Sequence, residues 1–136
     1  MADFEKAFQR TEKHEGKNVW TNIDGDSGME TWSGISRAAN PKWAGWAILD
    51  KIPNKKNNQV ISTPELERLK RELYKSNYWN PVWGDRIKNQ KVAEDMYDMG
   101  VNAGPATSIK LSERQFKMTE TGKMSEALLN KLNSVV

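Results

Sequence analysis

The sequence predicts a mainly α fold, a single domain of five or six helices with a small loop or β-hairpin insertion after the first helix. Apolar residues recur at three- and four-residue steps through most of the chain, which is typical of the buried faces of amphipathic helices. One stretch near the N-terminus loses this spacing and is rich in Asn, Asp, Ser, Thr and Gly, as loops and short hairpins are. A length of 136 residues favours one hydrophobic core.

The first helix and the insertion occupy the N-terminal quarter of the chain. Phe4 and Phe8 lie on one helical face, which predicts a helix over about residues 3–15. Gly16 is expected to end it, because glycine readily adopts the backbone conformation found after a helix C-terminus. Residues 17–34 then form the predicted insertion.

A short second helix follows the insertion. Asn40-Pro41 is typical of a helix start, because asparagine can cap the first N–H groups and proline suits the first turn. The helix is expected to carry Trp43 and Trp46 and to end by Pro53. Residues 54–59 are polar and predict an exposed loop.

Four more helices are predicted in the second half. An aromatic turn over residues 78–83 is expected between the first and second of them. The predicted starts are Thr63 with Pro64, Asn89, Pro105 and Ser125.

Composition excludes several kinds of chemistry. The chain has no cysteine, which excludes disulfides, thiolate metal sites and a cysteine nucleophile. His14 is the one histidine, so a multi-histidine zinc site is impossible. A net charge of +3 is a mild excess rather than the concentrated basicity of a dedicated nucleic-acid binder. We therefore expect no metal and no nucleic-acid partner.

We expect no segment of the chain to direct it into or across a membrane. Its longest apolar stretch is far shorter than the about 20 residues that span a bilayer. Residues 1–8 lack the apolar core and cleavage site of a secretory signal peptide. We therefore expect synthesis in the cytoplasm without stable membrane insertion, so that action outside the cytoplasm needs another exit route.

Three carboxylates and one hydroxyl are the candidates for catalysis. Glu15 closes the first predicted helix, where the helix dipole favours the protonated acid if the side chain is partly buried. A protonated carboxyl group is what donation to a glycosidic oxygen requires. Asp24 and Asp26 follow in the insertion, and the Thr31 hydroxyl could position a water molecule. By residue type alone, the same pattern also fits a solvated acidic loop.

The motifs around these residues resemble glycoside hydrolase family 108. Glu15-Gly16 and residues 26–35 are similar to the family's Glu-Gly-Gly and Asp-x-Gly-Gly-x-Thr-x-x-Gly-Ile signature. The second half of the chain resembles the peptidoglycan-binding segment that follows in that family. The matching residues there are Tyr78, Trp79, Pro81, Asp85, Arg86, Ile87, Val92, Ala93, Asp98, residues 101–105 and Gln115.

The family consists of lysozyme-like N-acetylmuramidases of phages and bacteria, so the resemblance implies a lysozyme-like fold and a peptidoglycan substrate. It implies cleavage of the β-1,4 bond between N-acetylmuramic acid and N-acetylglucosamine, with no cofactor. Glu15 is the implied general acid, and Thr31 the residue that holds a water molecule.

Asp26 is the implied second carboxylate, and Asp24 is its rival. This carboxylate either positions the attacking water or stabilises the oxocarbenium-like transition state. A separation from Glu15 of about 5–5.5 Å favours retention of configuration, and one of about 6.5–9.5 Å favours inversion. The sequence leaves both outcomes open.

Aromatic and amide side chains are the candidates for substrate binding. Trp32 lies inside the catalytic motif, while Tyr97 and Asn102 match positions that border the cleft in lysozyme-like folds. The alternatives are that Trp32 is a core residue, that the Tyr97 hydroxyl is buried and that Asn102 caps the C-terminus of a helix. His14 is expected to pack rather than react. The tryptophans expected in the core, wholly or in part, are Trp43, Trp46, Trp79 and Trp83.

Residues 1–62 form the expected catalytic-motif segment and residues 63–136 the peptidoglycan-binding-like helical segment. We expect the two to pack as one domain that works as a monomer on peptidoglycan glycan strands. The implied place of action is the cell wall, in the periplasm. A phage lysin would reach it through a holin pore, and a bacterial protein would open the wall for a secretion apparatus.

Two departures from the family motifs support an alternative function. Lys17 and Met29 replace the second glycine of each motif, and glycine is often required where the backbone has a positive φ or approaches a ligand. The alternative is therefore a non-catalytic wall-binding module that keeps the fold. Retention of Glu15, Asp26 and Thr31 favours the enzyme. A nucleic-acid or protein adaptor is a third reading, which rests on slight positive charge and amphipathic helices.

Overall fold

The structure is a computed structural model that describes residues 1–12, 18–22 and 30–134. These residues form six α-helices and four short strands, which confirms a mainly α fold with a small sheet after the first helix. None of the described helices is long and apolar enough to cross a membrane. In chain order the elements are α1 Phe4–Glu12, β1 Val19–Asn22, β2 Glu30–Trp32, β3 Ile35–Ser36, α2 Gly45–Asp50, β4 Gln59–Val60, α3 Pro64–Tyr74, α4 Gln90–Ala103, α5 Pro105–Gln115 and α6 Glu126–Asn133.

The four helix starts predicted in the second half are confirmed. Thr63, Asn89 and Ser125 each accept a hydrogen bond at 3.1 Å from the backbone N–H three residues later. Each side chain thereby supplies an acceptor to an N–H group that has no partner inside its helix. Pro105 opens α5, where its missing N–H has no cost.

Helix α2 begins later than predicted. Asn40-Pro41 predicts a start at that point, but the helix runs from Gly45 to Asp50. The backbone N–H and the side-chain amide of Asn40 both donate to the carbonyl of Ser36, at 3.0 and 3.1 Å. Asn40 therefore closes a turn after β3 instead of capping a helix.

The strands form an antiparallel sheet in the order β3-β2-β1-β4. Ser33 and Gly34 connect β2 to β3 with φ values of 51° and 82°, as a two-residue hairpin turn requires. The predicted exposed loop over residues 54–59 is wrong at its end, because Gln59 lies in β4 and pairs with β1. Pairing to a partner distant in sequence overrides the polar composition of this segment.

The described residues divide into two compact units. The first comprises Met1–Gln9 with Tyr74–Val136, and the second comprises Arg10–Leu73. The expected packing of residues 1–62 and 63–136 as one domain stays a prediction.

The first unit has an aromatic core. Phe4, Trp79 and Tyr97 contact one another edge to face, with ring centroids 5.7–5.9 Å apart. The Trp79 indole N–H donates to Asp85 at 2.8 Å. A side chain at Gly84 would place a Cβ 2.2 Å from an indole carbon of Trp79, so this close approach requires glycine.

The second unit is built on three indoles. Trp32 stacks on Trp43 with centroids 5.8 Å apart, and Trp43 meets Trp46 edge to face at 5.3 Å. Trp46 is buried and Trp43 half-buried, as predicted, and in the first unit Trp79 is buried and Trp83 half-buried, also as predicted.

A buried carboxylate in the first unit organises the loop after α5. Glu113 is 2% exposed and accepts three hydrogen bonds, from the Thr121 N–H and hydroxyl at 2.8 Å and from the Gly122 N–H at 2.9 Å. Burial by itself raises the pKa of Glu113, but these bonds stabilise the charged form more. The pKa of Glu113 therefore lies below its ordinary value.

The stability of the protein is expected to depend on the charge of Glu113. Because its pKa is lower in the folded protein, the ionised side chain stabilises the fold above its ordinary pKa of 4.5, and this contribution is lost as pH falls through the lowered value. The free energy of unfolding of wild type should therefore fall more steeply in acid than that of Glu113→Gln. Urea denaturation followed by circular dichroism measures both. Equal pH slopes for the two proteins would contradict this role.

Candidate active site

The predicted carboxylates lie outside the described residues, and their roles stay predictions. The structure instead describes the chain on each side of them, in the second unit. The motif and candidate residues outside the described ranges are His14, Glu15, Gly16, Lys17, Asp24 and residues 26–29.

Thr31 lies in β2, the central one of three adjacent strands. The register of these strands places three hydroxyl side chains next to one another. Thr21 in β1 pairs with Thr31 in β2, and Thr31 pairs with Ser36 in β3. Paired residues of adjacent strands share a sheet face, so Thr21, Thr31 and Ser36 form a hydroxyl row across one face. All three are half-buried, which leaves this face accessible.

Within the hydroxyl row, two side chains are hydrogen-bonded. The Thr21 and Thr31 hydroxyl oxygens lie 2.7 Å apart, and either can be the donor. Thr31 is thus the described member of the predicted catalytic set, and it has a fixed partner that the motif does not contain.

The opposite face of the sheet is held by a buried carboxylate. Glu30 is 5% exposed, and its two oxygens accept from the Trp20 indole N–H at 2.9 Å and from Arg37 at 2.8 Å. Arg37 also binds Asp50 of α2 through two hydrogen bonds, of 2.7 and 3.0 Å, which lower the pKa of Asp50. Both oxygens of Glu30 are engaged, so this acid anchors the strand that presents Thr31.

A buried lysine in α3 joins the chain segments around the motif. Lys70 is 1% exposed, and its ammonium group lies 2.9 Å from the side-chain oxygen of Asn18 and 3.3 Å from the hydroxyl of Ser33. It forms ion pairs with Glu67 at 3.3 Å and Glu12 at 3.5 Å. A charge removed from water needs this degree of compensation, because its desolvation costs several kcal/mol.

The partners of Lys70 flank the segment that carries the predicted acid. Glu12 directly precedes residues 13–17, and Asn18 directly follows them. The Asn18 N–H also donates to the Ser33 hydroxyl at 3.0 Å. One ammonium group therefore holds both flanks of the Glu15 segment and the β2–β3 turn.

Lys70 also helps to lower the pKa of Glu67, its acidic neighbour in α3. Burial raises the pKa of Glu67, but the positive charge of Lys70 and hydrogen bonds from Asn18, Lys70 and Ser62 outweigh burial. The pKa of Glu67 consequently lies below its ordinary value. The charged carboxylate is the form that pairs with the ammonium group.

Trp32 is placed in the core rather than at a sugar-binding surface. It has no exposed area, its indole N–H donates to the Ile61 carbonyl at 2.9 Å, and its ring stacks on Trp43. An indole needs a free face to stack on a pyranose ring. Packing inside the second unit covers the indole, and the expectation that Trp32 contacts substrate stays a prediction.

The other two predicted substrate contacts lie in the first unit, on α4. Tyr97 has no exposed surface and packs against Phe4 and Trp79 in the aromatic core, and its contact with substrate stays a prediction. Asn102 is exposed near the end of α4. Its contact with substrate stays a prediction.

Sequence reasoning missed Thr21 and Lys70, although the position of each in the sequence indicates its place in the fold. Thr21 and Thr31 lie ten positions apart in sequence, a separation at which neighbouring antiparallel strands can pair, and β1 and β2 do pair them. Lys70 follows Leu66 by four residues, which places it on the buried face of α3. Because Lys70 is charged, a search for apolar residues at helical spacing does not select it.

The glycosyl hydrolase 108 family profile matches residues 8–104. Among solved structures, the chain is similar to SagA of Brucella abortus, with a TM-score of 0.67, 23% identity and coverage of 98% of this chain and 70% of that one. This likeness shows a shared fold. No curated protein sequence matches the chain.

Replacing Lys70 by methionine is expected to destabilise the protein by roughly 2–3 kcal/mol. Removing one member of a fully buried ion pair costs about 3–5 kcal/mol, and Glu12 and Glu67 keep 17% and 22% of their side-chain surface in contact with solvent. Lys91→Met is the matched control, because Lys91 is 78% exposed and pairs with Asp95 on the helix surface, where such pairs contribute about 0.5 kcal/mol or less.

Chemical denaturation of both variants measures the difference. A loss for Lys70→Met no greater than that for Lys91→Met would show that the Lys70 cluster does not stabilise the fold.

Proposed function

The chain belongs to the glycosyl hydrolase 108 family, and from this membership we propose that it is an N-acetylmuramidase that cleaves peptidoglycan. The proposed bond is the β-1,4 linkage between N-acetylmuramic acid and N-acetylglucosamine. The observation that carries the proposal is the extent of the family match, because residues 8–104 contain Glu15, Asp26 and Thr31.

In the proposed reaction, Glu15 is the general acid. It donates a proton to the glycosidic oxygen as the bond from that oxygen to the anomeric carbon breaks. A water molecule attacks the anomeric carbon and transfers a proton to Asp26. Thr31 holds this water through a hydrogen bond. The products are two shorter glycan strands, one of which ends in a reducing N-acetylmuramic acid.

The described surroundings of the site support a preorganised enzyme. The Glu30–Arg37–Asp50 network anchors β2 from the buried face of the sheet, while Thr31 stays on the accessible face. Catalysis depends on such positioning, because reacting groups that are ordered before substrate arrives need no reorganisation in the transition state.

The proposed place of action is the cell wall, where the protein works as a monomer on glycan strands after release from the cytoplasm. Its net charge of +3 supports attraction to an anionic wall polymer. Salt should weaken this attraction, since ions screen long-range charge interactions.

Glu15→Gln should reduce activity at least about 10²-fold, because the amide cannot donate the acidic proton. Binding to the wall should persist, since the substitution conserves shape. Glu5→Gln, which makes the same change on an exposed residue of α1, is the matched control and should retain activity. Loss of turbidity of a peptidoglycan suspension measures cleavage, and co-sedimentation with insoluble peptidoglycan measures binding.

Mass spectrometry after borohydride reduction identifies the new ends. Reduced N-acetylmuramic acid supports the proposal, and reduced N-acetylglucosamine contradicts the proposed bond. If wild type binds the wall but clears no wall type tested, the protein is a wall-binding module. Lys17→Gly and Met29→Gly would then test whether the lost glycines account for the inactivity.

A further inference from the structure

We propose that Thr21 is a positioning residue that directs the hydroxyl proton of Thr31 away from the attacking water. This inference rests on the proposed function. It adds a residue outside the catalytic motif, on a neighbouring strand, and it specifies which way the hydrogen bond between the two threonines runs.

The first support is the geometry of the pair. The two hydroxyl oxygens are 2.7 Å apart, a normal distance for an O–H···O hydrogen bond. Thr21 and Thr31 face each other directly in the register of β1 and β2. Both side chains are half-buried on the accessible face of the sheet, so a water molecule can reach Thr31 while Thr21 remains bonded to it.

The second support is the proton count of the site. A threonine hydroxyl has one proton and two acceptor lone pairs. If Thr31 donates its proton to Thr21, only lone pairs remain for the water. The water must then donate one proton to Thr31 and the other to the Asp26 carboxylate. A lone pair of the water oxygen is thereby left to attack the anomeric carbon.

The opposite direction of the bond would hinder the reaction. If Thr31 donated its proton to the water, that bond would occupy one of the two lone pairs of the water oxygen and would withdraw electron density from the lone pair left to attack. The acceptor oxygen of Thr21 takes the Thr31 proton and so keeps the water oxygen more nucleophilic. In the reaction itself the water proton goes to Asp26, the leaving oxygen receives the Glu15 proton, and Thr31 keeps its own proton throughout.

The third support is the rigidity of the pair before substrate binds. Both side chains are β-branched and have restricted rotation about χ1. Beneath them, the hydrogen bond of 2.9 Å between the Trp20 indole and Glu30 joins the same two strands on the buried face. The two hydroxyl oxygens are thus fixed in position before substrate binds.

The test replaces Thr21 by valine and by serine. Thr21→Val keeps the shape but removes the acceptor, and it should lower kcat about tenfold with little change in apparent KM, as expected for one lost hydrogen bond in the transition state. Thr21→Ser keeps the hydroxyl and should retain kcat within about twofold. Initial rates of reducing-end release from peptidoglycan give both constants.

Two controls separate positioning from a structural role. In a Thr31→Val background, Thr21→Val should cause no further loss of kcat, because the two hydroxyls act as one unit. Ser36→Ala removes the third hydroxyl of the same row and should leave kcat unchanged. Thermal unfolding of each variant shows whether any loss follows from lower stability.

The outcomes distinguish the inference from the function on which it rests. An inactive wild type, or an active Glu15→Gln, overturns the proposed function. If wild type is active and Glu15→Gln is not, the inference alone is overturned by any of three results. These are a fully active Thr21→Val, an impaired Thr21→Ser, or additive losses in the double variant.

Discussion

The buried ammonium group of Lys70 is the constraint on which the described part of the site depends. An unpaired charge in this environment would be costly, so the fold has to bring carboxylates and polar oxygens to it. Those groups come from the end of α1, the residue before β1, the β2–β3 turn and α3. Satisfying one charge therefore fixes the positions of chain segments that are far apart in sequence.

Side chains alternate between the two faces of the small sheet, so that one face packs into the core and the other carries the hydroxyls. Trp20, Glu30 and Trp32 are buried on one face, where indole stacking and ion pairing hold the strands. Thr21 and Thr31 are half-buried on the other, where their hydroxyls are hydrogen-bonded to each other. A shift of register by one residue would exchange the two faces, so the pairing of the strands decides which residues can act.

Local signals predicted the helices well, because a helix start is decided within a few residues. Thr63, Asn89 and Ser125 cap N–H groups only three positions away, and the sequence is sufficient to identify them. Asn40 has the same residue type but bonds to Ser36 instead, and Gln59 joins a strand about forty residues earlier in the chain. The first error arises from a competing partner four residues before Asn40, and the second from a partner strand that is distant in sequence.

The family motif, the fold class and the four helix starts of the second half follow from the amino-acid sequence, because these depend on residue types at short and regular spacings. The tertiary structure alone decided that Trp32 and Tyr97 lie in cores, that Lys70 is buried among oxygens and that Thr21 bonds to Thr31. Burial and cross-strand pairing depend on neighbours contributed by distant segments. A residue's type shows what it can do, and its neighbours determine which of those possibilities it realises.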